Sequence, residues 1–373
     1  MQPRTDLMRP IGDTKTDPAE TFGAIDAVLE HTFAEMTVLL REAGARDPHG
    51  EPTTAGLGVD AVRELAERSA NHGKRVRPLL AHWGWVVAGG PGTGSEDALA
   101  RLGAALELLH LFALIQDDVM DRSDTRRGRP TLHVVASAAH ERHGGLGDPV
   151  HFGDSIATLV GDLALSEATL LGLGSSPAVA RIWRLMTLEL VEGQLLDITH
   201  AADRSHDHAT ARRISRLKTG RYTVTRPLQL GALVAGASRE VLDPLTEWGD
   251  LIGDAFGLRD DIIGVWGDPA VTGKPAGDDL LAGKPTALLV WAETLLPGHH
   301  QPLLRRCTAG DLRPDEVTEL AEAMRADGVL DRAEEEIDGL VRAAHAAAAR
   351  LPADPSVHAQ LDGLAQSIAW RSL

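Results

Sequence analysis

Residues 96–121 read EDALARLGAALELLHLFALIQDDVMD. Good helix formers fill this stretch, and its apolar run is far longer than a strand. It predicts an α-helix from Glu96 to Asp121 whose C-terminal end carries Asp117, Asp118 and Asp121. Outward from it, the same pattern recurs. Helices are expected over 21–42, 59–70 and 76–88 on one side. On the other they are expected over 156–173, 178–200, 208–218, 224–236, 240–265, 286–296, 314–327 and 330–350. Gly44–Gly58 and His143–Asp154 are rich in glycine and proline and read as loops. Aromatics are only 3% of the chain, and no β-branched alternating run stands out. No repeat of solenoid period is present. The fold class expected is all-α, one large helical domain over 21–373 preceded by a disordered segment, 1–20.

Composition narrows the function. The chain has 373 residues, 43% of them hydrophobic, which is ample for a core. Its 37 basic and 54 acidic residues leave a net charge of −17. That argues against a nucleic-acid partner, whose phosphates want a basic face. Cys307 is the lone cysteine, so no internal disulfide and no cysteine metal site can form. A reducing, cytoplasmic setting fits. The first residues are polar, carry Pro3, Pro10 and Pro18, and lack the apolar run of a signal peptide. No window approaches 18 uninterrupted apolar residues, so no membrane span is expected.

The chemistry lies in the aspartates. Asp117 and Asp121 are spaced i, i+4 and share one helix face. Like charges at that spacing weaken a helix, and a helix C-terminus disfavours anions. A bound cation removes both penalties. A lone motif of this kind can equally be a solvated helix end. Here it follows the apolar run Leu106–Ile115, and Asp260-Asp261 repeats the arrangement after Leu251–Leu258. Basic, glycine-containing segments follow each cluster: Arg126-Arg127-Gly128-Arg129-Pro130, then Gly273-Lys274 and Gly283-Lys284. A diphosphate bridged to the carboxylates by Mg²⁺ accounts for both signs of charge.

These residues, with Gly73-Lys74-Arg75-Val76-Arg77-Pro78, Glu107-Leu108-Leu109-His110, Gly161-Asp162, Gly193-Gln194 with Asp197, and Lys218-Thr219-Gly220, resemble the trans-isoprenyl diphosphate synthases of the polyprenyl synthetase family. The resemblance spans roughly Gly73 to Thr286. It implies a bundle of about a dozen helices around a central cavity, working as a homodimer, with the two acidic clusters facing across the cavity mouth. It implies about three Mg²⁺ ions per site: two on Asp117 and Asp121, a third on Asp260, with Asp118 and Asp261 completing the acidic pairs. By the same resemblance Arg126, Lys218 and Lys274 hold the leaving diphosphate of an allylic substrate. Lys74, Arg77, His110 and Arg127 hold isopentenyl diphosphate. Gln194 and Lys284 join the substrate-binding set, and Lys218-Thr219 shelters the allylic cation.

Three positions depart from the family pattern. Gly264 stands where an aspartate is usual, Gly257 where a glutamine follows Phe256, and Gln116 where histidine is frequent. Product length is read from the face below Asp117. Ala113 lies one turn before it and is small. Phe112 lies five residues before it, about 7.5 Å lower, and Leu109 lies deeper still. In the family a bulky side chain here floors the product pocket. This combination resembles geranylgeranyl (C20) synthases, with farnesyl (C15) synthesis as the alternative. A class I terpene cyclase also carries an aspartate-rich motif, but its second metal motif starts on Asn or Asp and continues through Ser/Thr to Glu. Asn71 is the chain's only asparagine and lies far from the second cluster. A prenyltransferase with an unusual acceptor stays open because of Gly257.

Overall fold

A computed structural model of the protein describes residues 17–44, 59–71, 73–174, 176–203, 207–268, 276–284 and 286–371. Helix follows helix, and a two-residue hairpin is the only strand pairing among these residues. The helices are α1 Pro18–Glu42, α2 Ala61–Ala70, α3 Val76–Val87, α4 Glu96–Met120, α5 Leu132–Arg142, α6 Pro149–Gly172, α7 Pro177–Asp203, α8 His208–Ile214, α9 Arg226–Val234 and α10 Arg239–Trp266. There follow α11 Asp278–Leu281, α12 Ala287–Leu295, α13 Gln301–Thr308, α14 Pro314–Ala326, α15 Val329–Ala348 and α16 Pro355–Ala369.

Two helices start earlier than expected and one was not expected, all three for one reason. Asp17, Asp148 and Asp354 each stand just before a proline and accept a hydrogen bond from a first-turn N–H. Aspartate as N-cap and proline at the next position are the two strongest start signals. So α1 begins at Pro18, and residues 18–20 of the expected disordered segment are helical; residues 1–16 lie outside the described residues. The loop expected to run to Asp154 ends at Asp148. It is closed by His140, which is buried and donates from Nε2 to the Leu146 carbonyl at 3.1 Å. Residues 45–58 of the other expected loop also lie outside the described residues. Helices α5, α11, α13 and α16 have no counterpart in the sequence reading.

The largest departure follows α8. Ser215–Thr225 forms eleven residues of π-helix, continuous with α8 and α9, where an α-helix was expected to stop at Lys218. Wide turns of this kind are rare and gather at functional sites.

The described residues fall into two compact units. The first comprises Thr14–His82 and Gly90–Ala180; the second comprises Trp83–Gly89 and Arg181 onward. In the first, α4 packs on α6 and α1, and α5 on α6. Gly103 permits the α1 approach, since a Cβ there would lie 2.3 Å from Ile25. Among the described helices, α4 and α6 have the length and apolar composition to cross a membrane. The apolar window of α4 is 61% buried inside the protein, as for a core helix. In the second unit, α10 is the centre, packed by the π-helix, α9, α15 and α16. Gly253 and Gly220 let α10 and the π-helix touch through backbone, with a Cβ on either within 3.0 Å of the other's main chain.

Candidate active site

The first cluster is built at the end of α4. Asp121 is its C-cap, its N–H donating to the Asp117 carbonyl at 2.8 Å. Asp117 is half-buried, Asp118 buried and Asp121 exposed. Next comes the hairpin, β1 Thr125–Arg126 against β2 Arg129–Pro130, with Arg126 opposite Arg129. Its corner, Arg127-Gly128, has φ of +53° and +72°, the double left-handed turn that matches strand twist. The tight corner turns Arg126 back onto α4. Its Nε donates to Asp118 Oδ1 at 2.7 Å and its Nη2 to Asp117 Oδ2 at 3.3 Å. Burial works against the Arg126 charge, but Asp118, Asp117 and Asp121 outweigh it and raise its pKa.

The basic side of this unit gathers around His110. Arg127 donates to the Asn71 carbonyl at 2.9 Å. Gly73 makes room for it, because a Cβ there would lie 2.5 Å from the guanidinium. Restricted hydration, then Arg126 and Arg77, lower the Arg127 pKa against the pull of Glu107. Burial first, then Arg77, Arg127 and Arg126, hold His110 well below the usual histidine range. It is therefore a neutral ring at neutral pH, able to donate but not to supply charge. Lys74 is exposed just before α3. Between Lys74 and Arg77, Arg75 has φ of +47°. It is buried and paired with Asp26 of α1, and lies 3.7 Å from Glu107 of α4. This buried clamp, missed in the sequence, fixes where the helix bearing Arg77 starts.

The second cluster belongs to the other unit. Asp260 is exposed and accepts from Arg371 Nη2 at 2.7 Å. Arg371 also stacks 4.1 Å over the Phe256 ring, and its carbonyl accepts from Arg259 Nε at 2.9 Å. Asp261 is pushed well above the usual carboxylate range, by burial first and then by Asp279 and Asp260, with Lys284 opposing. Lys284 lies 3.3 Å from Asp279, and Lys218 donates to Asp197 at 2.5 Å. Gln194 and Thr219 are half-buried. Gly193 brings α7 against the π-helix, where a Cβ would lie 2.5 Å from the Lys218 backbone nitrogen. Lys274 lies outside the described residues. Asp279 and Arg371 were not singled out by the sequence reading.

The length-determining positions sit in the first unit. Leu109 is fully buried, and Ala113 is part-exposed. Phe112 is partly buried and packs against an apolar cluster that includes Met36, Leu65, Leu111, Ile115 and Val160. Gln116 ties α4 to α6 by donating to the Thr158 carbonyl at 3.2 Å.

Comparison with known proteins joins these halves to one family. Residues 59–325 match the family model described as "Polyprenyl synthetase". The chain belongs to the polyprenyl synthetase family. It is 36% identical to a geranylgeranyl pyrophosphate synthase from Corynebacterium glutamicum, solved with isoprenyl diphosphate and magnesium; the TM-score is 0.82 over 93% of this chain and 98% of that one. It is 35% identical to a geranylfarnesyl diphosphate synthase of Aeropyrum pernix, over 59% of this chain and 66% of that enzyme. It is 34% identical to a (2E,6E)-farnesyl diphosphate synthase of Mycobacterium tuberculosis, over 69% of this chain and 67% of that enzyme. The chain thus spans about two thirds of the length of these curated relatives. The chain is a prenyltransferase of this family, and the relatives' different products leave its own product length open.

The residues fit the family's divalent metal. Both clusters offer hard carboxylate oxygens, and each has basic side chains beside it. Among the described residues no three His, Cys, Asp or Glu side chains are grouped to hold an ion by themselves. Mg²⁺ is commonly held by one or two carboxylates together with substrate phosphates, which this arrangement suits.

Gly257, the departure from the family's Phe-Gln, has a local cause. A Cβ at 257 would lie 2.1 Å from the Ser215 hydroxyl, at the first residue of the π-helix. Restoring the family residue by Gly257→Gln is expected to cost about 1–3 kcal/mol by overpacking. Adding Ser215→Ala removes the clashing oxygen and leaves the Ser215 Cβ at an ordinary 3.5 Å, so most of the loss should return. Thermal melting of the single and double variants checks this; a Gly257→Gln protein as stable as its parent would refute the steric account.

Proposed function

We propose that the protein catalyses the Mg²⁺-dependent head-to-tail condensation of isopentenyl diphosphate with allylic diphosphates, yielding geranylgeranyl diphosphate. The observation that carries this reading is the first unit's charge pattern. Arg77, Arg126 and Arg127 lie close enough to act on one another and on His110, directly beside the carboxylates of α4. Arg126 is offset by Asp117 and Asp118, which leaves Arg77 and Arg127 crowded about His110 and three carboxylates sharing one arginine. A magnesium diphosphate supplies an anion to the first group and a cation to the second.

In this reading the allylic C–O bond breaks, leaving a carbocation and diphosphate. The double bond of isopentenyl diphosphate then attacks the cation, forming the new C–C bond. A proton leaves the adjacent carbon for the departing diphosphate, and no side-chain nucleophile is needed. Bound magnesium would neutralise charge on the leaving diphosphate. Asp117, Asp121 and Asp260 would hold it. Arg126, Lys218, Lys274 and Lys284 grip diphosphate oxygens, and Arg suits this because its fork binds two at once. Lys74, Arg77, His110 and Arg127 orient isopentenyl diphosphate. Exposed apolar side chains support a homodimer: Leu159 and Leu170 on α6, and Leu188, Val191 and Leu195 on α7. The reading places the enzyme in the cytoplasm.

The test is a product assay with Mg²⁺, isopentenyl diphosphate and each of the C5, C10 and C15 allylic diphosphates. A C20 alcohol after dephosphorylation is expected from all three. A product stopping at C15 would keep the mechanism, give farnesyl synthesis and overturn the length reading taken from Phe112 and Ala113. No condensation with any primer would overturn the function. In the same assay Phe112→Ala is expected to lengthen the product, and an unchanged distribution would remove Phe112 as the floor.

A further inference from the structure

Three glycines one turn apart on α10, Gly249, Gly253 and Gly257, meet the π-helix at its last, middle and first residues. A Cβ on Gly249 would lie 3.0 Å from the Thr225 Cα, one on Gly253 3.0 Å from the Gly220 backbone, and one on Gly257 2.1 Å from the Ser215 hydroxyl. Gly257, a departure from the family pattern, thus completes a seam on which the whole π-helix lies.

The seam sets how close the two helices come. It does not set where one stops along the other, because glycine offers no side chain to hold. From Gly249 to Gly257 α10 rises about 12 Å, whereas an α-helix from Ser215 to Thr225 would rise about 15 Å. Wider turns advance less per residue, so the π-helix brings both of its ends onto the seam.

Two carboxylates on the adjoining face of α10 hold that fit. Asp254 accepts from Arg216 Nε at 2.9 Å and also from Arg216 Nη2, and Arg212 Nη2 lies 3.5 Å away. Asp250 accepts from Thr225 Oγ1 at 2.8 Å and from Arg221 Nη2 at 3.4 Å. The Asp254 side chain is only 10% exposed, so solvent ions screen its pairing little. Its hydrogen bond is the largest influence on Arg216, whose pKa rises in spite of burial. Lys218 and Thr219 lie in the stretch between tethered Arg216 and Arg221.

We infer that Asp254, with Asp250 one turn before it, is a positioning residue: the two carboxylates hold the π-helix in register on α10 and so aim Lys218 and Thr219 at the departing diphosphate. This rests on the function proposed above. Without the Asp254 tether the segment is free to relax toward the longer α-helical rise. A shift of about 1 Å at a positioning group can cost about 10²-fold in rate. The loss belongs in kcat, because the diphosphate gains its charge only as the C–O bond breaks.

Tyr222 is the chain's only tyrosine and is buried within the π-helix. Isotopic labelling of tyrosine therefore gives one amide NMR signal from this segment, readable without turnover. Asp254→Ala is expected to move that signal and to lower kcat by about 10- to 100-fold, with KM for either diphosphate within about threefold of the parent. The melting temperature should fall by only about 2–4 °C. Asp254→Glu keeps the carboxylate and should restore most of the signal position and the turnover. Asp254→Asn, close in shape, replaces the alanine variant if melting curves show the latter unfolded, and the same changes are expected of it. An unmoved Tyr222 signal in a folded alanine or asparagine variant would overturn the inference. So would a moved signal with parental kcat, a loss confined to KM, or a glutamate variant as impaired as the alanine one. A parent protein that condenses no isopentenyl diphosphate would instead sink the functional reading, and the Tyr222 signal would still judge the register by itself.

Discussion

Asp117→Ala is expected to lower kcat/KM for condensation by about 10³-fold or more at any magnesium concentration. Stabilisation of developing charge by a bound metal is worth several kcal/mol, and each 1.36 kcal/mol is tenfold in rate. Asp117 and its neighbour Asp118 do different work despite their adjacency. Asp118 is buried and accepts from Arg126 Nε at 2.7 Å, so its carboxylate is committed to holding the hairpin arginine. Asp117 is half-buried and accepts from Arg126 at the longer distance of 3.3 Å. Its loss leaves the shorter Asp118–Arg126 bond in place. Asp117→Ala should therefore leave the melting temperature close to the parent while abolishing most turnover. Asp118→Ala should lower the melting temperature as well, because it removes the main partner of Arg126. Steady-state rates across a magnesium series, with melting curves alongside, separate the two. Asp117→Ala activity within tenfold of the parent at saturating magnesium would refute the metal assignment.

Where local chemistry and burial agree, the sequence was legible. The long apolar helix from Glu96 ends at Met120 with Asp121 as its cap, and the helix expected from Glu240 to Val265 runs Arg239–Trp266. Both are bounded by their own side-chain pattern. The Asp-Pro starts of α6 and α16 were equally local, but the α6 proline was read as loop chemistry and not as a first helical position, and the α16 start was passed over. The π-helix was not local. Gly220 meets Gly253 of α10 and Thr225 donates to Asp250 at 2.8 Å. Such partners lie dozens of residues away, and a 3.6-residue periodicity has no means of signalling a wider turn.

The same distinction runs through the site. Clusters contiguous in sequence were found; contributions from elsewhere were not. Arg371 reaches Asp260 across 111 residues, and Asp279 reaches Gly264 through a fold-back of the chain. Gly257 and Gly264 read singly as losses. In space each faces another residue, Ser215 or Asp279, that fills the vacated volume. A glycine departure from a family motif is thus better weighed as one half of a pair.

Glu189→Ala is expected to destabilise the protein by about 3–5 kcal/mol, the usual result of stripping one partner from a buried ion pair. Glu189 lies on α7 and is only 9% exposed. It accepts two hydrogen bonds from Arg226, at 2.8 and 2.7 Å, and one from Arg221 at 2.8 Å. Arg226 is itself buried, and its Nη1 donates to Gln229 Oε1 at 2.6 Å; Gln229 in turn donates to Thr246 of α10 at 2.7 Å. The network therefore binds α7, the π-helix, α9 and α10. Arg221 retains Asp250 at 3.4 Å if Glu189 is lost, but Arg226 would keep only a neutral amide. An uncompensated guanidinium in that position cannot shed its proton, so the desolvation cost falls on stability. Unfolding monitored by denaturant should show the loss, with a melting temperature lower by roughly 10 °C. Replacing both partners, Glu189→Leu with Arg226→Leu, should return much of it, because buried pairs exchange for apolar packing at little cost. A Glu189→Ala loss below about 1 kcal/mol would mean that water reaches Arg226 and that the network is not closed. If the larger loss is found, turnover should fall with it: α7 carries Asp197, the partner of Lys218, and loosening this network releases the π-helix from the surface that positions that lysine.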